Sequence, residues 1–283
     1  MVAIIPPVDV PDPQPKVPRY GLFTAATGPL DLPVHARGGG VRWQDVTSDL
    51  PEGFEVTCAP AEVSFPDDCG NWITAVPFTV QATLNTGAIG MPQEEIQRIL
   101  LSRLFAGEQA VVERIFSVGT FAQSHPLSND VPAAAVVVAT AGNALGGLSA
   151  LEEWLATQVG LRGVIHAPAV LSGWLNDRAG VIKEGGRWVT QLGNVVSIGN
   201  YAGLSPAGVA PAAGHTWVYI TGQTTVWRTP DNEVFVSPYE ANLDWAMPKG
   251  RTEVMNNTIH AFARREYVVS HNQVIAACDV TIA

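Results

Sequence analysis

Lysine is almost missing from this 283-residue chain: Lys16, Lys183 and Lys249 are its only three, and 16 basic residues in all stand against 26 acidic ones, for a formal charge of −10. So little positive charge leaves no electrostatic footprint for a nucleic-acid backbone. Charge of either sign is scarce, 15% of residues against 47% apolar, so the surface is either thinly charged or covered by partners, which points to self-association. Three cysteines, Cys58, Cys69 and Cys278, do not make a disulfide framework in a chain of this length. Spacing alone permits a Cys58–Cys69 bridge, and two reduced thiols in a loop is the alternative suited to a cytosolic product. No apolar run reaches the ~18 residues of a membrane span. The first residues, MVAIIPPVDVPDPQPKVP, lack the basic start and apolar stretch of a signal peptide. Neither membrane insertion nor export by that route is expected.

Catalytic signatures are absent too. There is no GxSxG, no phosphate-cradling glycine loop, no HExxH and no CxxC. Ser205 lies in Gly203-Leu204-Ser205-Pro206, where a proline occupies the place of an oxyanion N–H. His35, His125, His166, His215, His260 and His271 are scattered singly, with no pair at ligand spacing. No catalytic residue, cofactor or metal is expected, and the chain is not read as an enzyme. The Asn256-Asn257-Thr258 sequon has no consequence without secretion. Eight tryptophans are read as core and interface anchors rather than a platform for sugars or bases.

What the chain does have is one long, well-punctuated helix over Met91–Gly119. Pro92 suits a first turn, Glu94 and Glu95 face its unpaired N–H groups, and Gly119 is a left-handed stop. Ile96, Ile99, Leu100, Leu104, Val111 and Ile115 hold a helical apolar spacing; Leu101, Phe105, Val112 and Phe116 widen it. Glu95, Arg98, Ser102, Gln109 and Glu113 are expected to form a narrow polar stripe opposite. At 1.5 Å per residue such a helix is roughly 39 Å long, a spine to be covered on most sides. Gly107 interrupts it on the side of Arg103, Ala110 and Arg114, as a plain packing glycine or as the place where another backbone crosses.

Around the spine, residues 1–40 hold eight prolines and end in Gly38-Gly39-Gly40, a composition for an extended arm lying on a neighbour or on its own body. Residues 41–80 read as a long hairpin with strands near Phe54–Cys58 and Trp72–Val76. Its Asp45, Asp49, Glu52, Glu55, Glu62, Asp67 and Asp68 face a single Arg42. This is either a solvated loop or an arm that seeks a basic groove on another subunit. Phe78–Leu84 alternates as a strand. Beyond the spine come a helix over Gly147–Gln158, a strand at Val164-Ile165, a helix opened by Pro168, strands at Trp188–Thr190 and Asn194–Ile198, a loop over Gly203–Gly214, and one longer strand over Thr216–Arg228. This lobe is α+β. Thr258–Val269 and Gln273–Ile282 are expected to pair as a hairpin.

This order of parts resembles the tailed-bacteriophage major capsid proteins of the Hong Kong-type fold, shared with encapsulin shells. The residues that carry the resemblance are Trp72–Phe78 and the run PFTVQATLNTGAIGMPQEEIQRILLSRLFAGEQAVVERIFSVGT, supported by GVIHAPAVLSGWL and LGNVVSIGNYAG. The resemblance implies an N-terminal arm at 1–40, an extended loop at 41–77, and a peripheral domain at 78–125 that holds the spine helix. It implies an axial domain at 126–254, and 255–283 as a hairpin returning to the peripheral domain. It further implies homo-oligomers, pentamers and hexamers closing into an icosahedral shell around double-stranded DNA, with no sequence-specific DNA contact and no membrane. The shell would be a virion capsid assembled in the host cytoplasm, with scaffolding, portal or decoration proteins as separate chains. An encapsulin-type nanocompartment or another virion head protein is the alternative. Interface candidates are Glu55, Glu62, Asp67 and Asp68 on the loop, with Arg98, Arg103, Gly107, Arg114, Arg264 and Arg265 as what they meet on a neighbour.

Some members of that family join subunits through an isopeptide bond from a lysine of the extended loop, yet no lysine occurs here between Lys16 and Lys183. Assembled material boiled in denaturant is therefore expected to run as monomer on a gel; a ladder of covalent oligomers would contradict this.

Overall fold

The computed structural model describes residues 18–44, 72–87, 92–119, 126–128, 135–141, 143–158, 160–177, 180–237, 258–272 and 275–282. Its strands in chain order are β1 (Thr27–Asp31), β2 (Val41–Gln44), β3 (Trp72–Ala75), β4 (Phe78–Gly87), β5 (Val136–Ala141), β6 (Val164–Pro168) and β7 (Ile182–Glu184). They continue with β8 (Arg187–Val189), β9 (Val195–Gly199), β10 (His215–Thr221), β11 (Thr224–Arg228), β12 (Phe235–Val236), β13 (Thr258–His271) and β14 (Ile275–Thr281). The α-helices are α1 (Leu22–Ala25), α2 (Ala36–Gly39), α3 (Gln93–Val118), α4 (Ala144–Gln158) and α5 (Ser172–Asp177).

Two sheets organise the molecule. A five-stranded sheet runs β1-β11-β13-β12, with β4 along the other side of β13. A seven-stranded sheet runs β5-β14-β10-β6-β9-β8-β7. The spine helix α3 starts after Pro92 in extended conformation, carries Glu94 and Glu95 in its first turn, and stops at Gly119 with φ +75°, as its sequence expects. It lies on the five-stranded sheet: Ile96, Leu100, Leu104, Val112 and Phe116 pack with Phe78, Val80 and Leu84 of β4 and with Ala263, Tyr267 and Val269 of β13. A second core joins Leu148, Leu151 and Leu155 of α4 to Ile165, Val218, Ile220, Cys278 and Val280 of the seven-stranded sheet.

The structure corrects three of the sequence expectations. The C-terminal runs do not form a hairpin: β13 pairs with β4, β11 and β12, whereas β14 pairs with β10 and β5 in the other sheet. Ile275 to Cys278 are buried without alternation, the mark of a strand covered on both faces rather than of a half-exposed hairpin. The long strand over Thr216–Arg228 is broken in the same way, into β10 and β11 of different sheets, at Gly222 and Gln223. The two crossings touch, since Asn272 N–H donates to the Gln223 carbonyl at 3.3 Å and a Cβ on Gly222 would meet Asn272 Cβ at 3.0 Å.

Of the two positions expected for the N-terminal region, the described part takes its own body. From Tyr20 onward the expected arm is built into the body: Leu22 and Ala26 join the first core, and β1 pairs in parallel with β11 as an edge strand, the position where Pro29 costs least. The third correction is the spine's polar stripe. Gln109 and Glu113 are buried, whereas Val111, assigned to the apolar face, is 41% exposed. In the loop region β3 pairs antiparallel with β2; the strand expected at Phe54–Cys58 lies outside the described residues.

Close backbone approach fixes a glycine where the lobe containing α4 turns into β6. A Cβ on Gly163 would fall 2.1 Å from the Thr221 carbonyl oxygen and 2.7 Å from Leu155 Cδ2. Gly163→Ala is expected to cost about 1–3 kcal/mol or more, seen as a lower urea midpoint with an unchanged m-value.

Candidate functional site

Two buried carboxylates on α3 hold the parts of the molecule together. Glu108 accepts from Arg228 Nη1 at 3.1 Å and from Arg265 Nη1 at 2.9 Å, and the Tyr267 hydroxyl donates to it as well. Arg265, whose side chain is fully buried, donates its other amino group to Asp231 and stacks 5.0 Å above the Phe105 ring. Burial, with Glu108 beside it, pushes the Tyr267 phenol above its ordinary range. Removing one member of such a network leaves a buried charge unpaired, at about 3–5 kcal/mol.

One and a half turns on, Glu113 faces the other way. Its carboxylate accepts from the backbone N–H of Leu22 at 2.9 Å and of Asn200 at 2.6 Å. The Asn200 amide in turn donates to the Ala110 carbonyl at 3.0 Å, Ala202 N–H donates to Ser117 Oγ at 3.0 Å, and Gln109 reaches the Pro18 carbonyl at 3.4 Å. This side of the spine therefore grips both the incoming chain and the loop after β9. The approach is close: a Cβ on Gly199 would lie 2.1 Å from Glu113 Oε2, and one on Gly21 would lie 1.9 Å from Gln109 Nε2, so a side chain at either position would push the spine's polar groups off their bonds. Burial raises the Glu113 pKa, against the lowering effect of the two backbone bonds.

Beneath this contact sits a neutral polar network. His166 of β6 bonds the Tyr201 hydroxyl at 3.2 Å and Thr221 Oγ1 at 3.0 Å, and Ser197 bonds the same Tyr201 hydroxyl at 2.5 Å. Phe116 of the spine meets the His166 ring edge-on at 5.4 Å and the His271 ring at 5.9 Å. Burial, and then His271 nearby, hold the His166 pKa well below its ordinary value; burial, and then Glu113, push Tyr201 well above its own. Both are fixed in neutral form, as suits a structural joint between the sheets. Among the described residues no group of three or more His, Cys, Asp or Glu could hold a metal ion.

The interface candidates divide into three sets. Arg103, Gly107 and Arg114 come together on one open face of α3, beside the exposed Val111; a Cβ on Gly107 would meet nothing within 4 Å, so no part of the described chain crosses there. Arg103 also donates to the Thr83 carbonyl at 3.1 Å, and Arg98 pairs with Glu95 at 2.6 Å near the helix start. Arg264 is exposed over the Phe235 ring at 4.7 Å, and strand alternation puts it on the sheet face away from the spine. Arg265 is spent inside the subunit on Glu108 and Asp231 and presents nothing to a neighbour. Glu55, Glu62, Asp67 and Asp68 lie outside the described residues.

Sequence reasoning missed Glu108, Gln109 and Glu113 as organising residues. Gln109 and Glu113 are four apart, as a solvated stripe requires, and their only distinguishing signal is that Val112 and Phe116 border them on the helical wheel.

No protein-family model and no curated protein matches the sequence. Solved structures do. The capsid of an empty GTA particle superposes with a TM-score of 0.58 at 15% identity, covering 98% of this chain and 95% of that one. A Microbacterium phage Oxtober96 chain gives 0.51 at 13% identity over 99% and 96%. A Gordonia phage Cozz chain gives 0.50 at 12% over 97% and 91%.

Glu113 supplies a test of this architecture. A carboxyl whose pKa is raised on folding contributes stability that is complete below about pH 4.5 and is lost as pH rises through the folded value. Glu113→Gln turns an amide N–H toward a backbone N–H and is expected to cost about 1–3 kcal/mol. In urea titrations the gap to wild type is expected to narrow from pH 4.5 to pH 8; a gap that widens would show that the backbone bonds outweigh burial.

These likenesses cover 97% or more of the chain, at identities too low to speak for more than architecture: the protein has the α+β Hong Kong-type capsid fold.

Proposed function

We infer that the chain is a major capsid subunit, which associates with its own copies as pentamers and hexamers into an icosahedral virion shell around double-stranded DNA. The observation that carries this reading is the match to a capsid chain over 98% of the sequence. The composition supports it. A subunit with 15% charged residues, three lysines and a net charge of −10 has little with which to clamp DNA and much apolar surface for neighbours to cover. On this reading the five-stranded sheet with the spine is the peripheral domain, and the seven-stranded sheet with α4 and α5 is the axial domain. The boundary then follows the sheets rather than the order of the chain, with β14 in the axial part. Scaffolding, portal and decoration functions fall to separate chains, and assembly takes place in the host cytoplasm.

The open face of α3 is where a neighbour's extended loop belongs. Its Arg103 and Arg114 suit the carboxylates of Glu55, Glu62, Asp67 and Asp68, and Gly107 between them leaves room for a crossing backbone. No lysine stands in the loop to make the contact covalent, so the shell rests on non-covalent contacts.

Electron microscopy of the purified protein is expected to show megadalton shells, and nucleic acid inside them distinguishes a genome container from an encapsulin-type compartment. Gly107→Ala separates folding from assembly. Replacing a mid-helix glycine with open space around it is expected to stabilise the lone subunit by about 1 kcal/mol, while particle yield falls. Asp67→Lys with Asp68→Lys is expected to lower the yield as well. Undiminished yield in both variants would refute the loop contact.

A further inference from the structure

A short flap, Asn200–Ala202, lies between the spine and the seven-stranded sheet and is bounded by two glycines, Gly199 and Gly203. Gly203 takes φ +62°, a conformation that suits a hinge without a side chain. Two N–H groups tie the flap to α3, Asn200 to Glu113 and Ala202 to Ser117 Oγ. Beyond it the chain is fastened to β10: Trp217 N–H donates to the Gly203 carbonyl at 3.2 Å, and the Tyr219 hydroxyl to the Leu204 carbonyl at 2.6 Å. Under the flap's Tyr201 is His166, with no exposed surface. Phe116, Ser197, Thr221 and His271 around it are buried, whereas Asn200, next to Tyr201, is exposed, which puts solvent on the flap's side of the cluster.

The two ring nitrogens of His166 bond the hydroxyls of Tyr201 and Thr221. Those hydroxyls can turn their own protons to Ser197 Oγ at 2.5 Å and to the Gly222 carbonyl at 3.0 Å. The network can therefore accept a second ring proton by geometry, but it has no answer to the charge. The titratable groups that face His166 are Tyr201, Tyr219, which pairs with it across β10, His271 and, through Tyr201, Glu113. Burial keeps both tyrosines as neutral phenols, and His271 would add charge of the same sign. Glu113 spends its carboxylate on two backbone N–H groups. An imidazolium in this place has no counter-ion in contact, a state that burial penalises and water relieves.

We propose that Asn200–Ala202 is a proton-operated flap: when His166 takes up a second ring proton, Tyr201 leaves the imidazole, Asn200 and Ala202 let go of the spine, and water reaches the charge while both sheets stay folded. The device belongs to the single subunit and does not rest on the shell reading. A histidine held below its ordinary value in the closed form and free to reach it in the open one favours opening as pH falls below about 6.5. Glu113 acts in the opposite direction, because its raised pKa favours the closed form as pH falls through it.

Hydrogen exchange of the full chain from pH 7.5 to pH 5, read by mass spectrometry on short peptides and divided by intrinsic rates, follows the amides of Asn200 and Ala202 directly. His166→Gln keeps a donor and an acceptor in place and cannot charge. The ratio of wild-type to His166→Gln exchange at the flap, in which the Glu113 contribution cancels, is expected to rise about tenfold per pH unit below about pH 6.5. Low urea is expected to leave that exchange unchanged, since a local opening exposes little surface, while it speeds exchange at Val218 and Val280 of the seven-stranded sheet. Glu113→Gln retains His166 and removes the opposing group, so its flap amides are expected to show the tenfold slope on their own, whether or not His166→Gln folds. A flat profile in Glu113→Gln, or flap exchange that follows urea as steeply as Val218 and Val280, would overturn the proposal.

Discussion

The fold depends on the two carboxylates that α3 carries into its interior. Burying either costs several kcal/mol unless its oxygens are satisfied, and each is satisfied by a different part of the molecule. Glu108 takes its bonds from Arg228 of β11 and from Arg265 and Tyr267 of β13. Glu113 takes its bonds from the backbone at Leu22 and Asn200. Sliding the helix along the sheet by one turn would leave at least one of them uncompensated. The apolar contacts supply most of the adhesion, and the carboxylates select one register from the many that adhesion alone would allow.

The second constraint is the joint between the sheets. Two neighbouring crossings, β10 to β11 and β13 to β14, carry the chain from one sheet to the other, so neither sheet can be completed without the other. The polar groups packed there, His166, Tyr201, Ser197 and Thr221, satisfy one another and remain uncharged. This is a rigid solution: an unpaired member would be costly in so dry a place, and the hydrogen bonds allow few alternative arrangements.

What the chain leaves uncovered complements what it buries. Arg265 is consumed internally, whereas Arg103 and Arg114 flank Gly107 on the outer side of the spine. A glycine in mid-helix has a conformational cost, and nothing in the described chain recovers it. The recovery is assigned to a neighbouring copy, which ties a local irregularity of the sequence to the assembly proposed for the protein.

The sequence by itself determined the spine, its start at Pro92 and stop at Gly119, the alternating strand after Phe78 and the helix ending at Gln158. Each of these rests on local chemistry: caps, glycine dihedrals, and a periodicity set by one chain segment. Tertiary structure alone decided which strands share a sheet. Ile275–Thr281 reads equally well beside Thr258–His271 or beside β10 and β5, because strand propensity carries no address for the partner. It also decided which polar residues of the spine are buried. Glu113 and Glu95 look alike on a helical wheel, and only the approach of Gly21 and Gly199 from distant parts of the chain makes one of them a core residue and leaves the other near solvent.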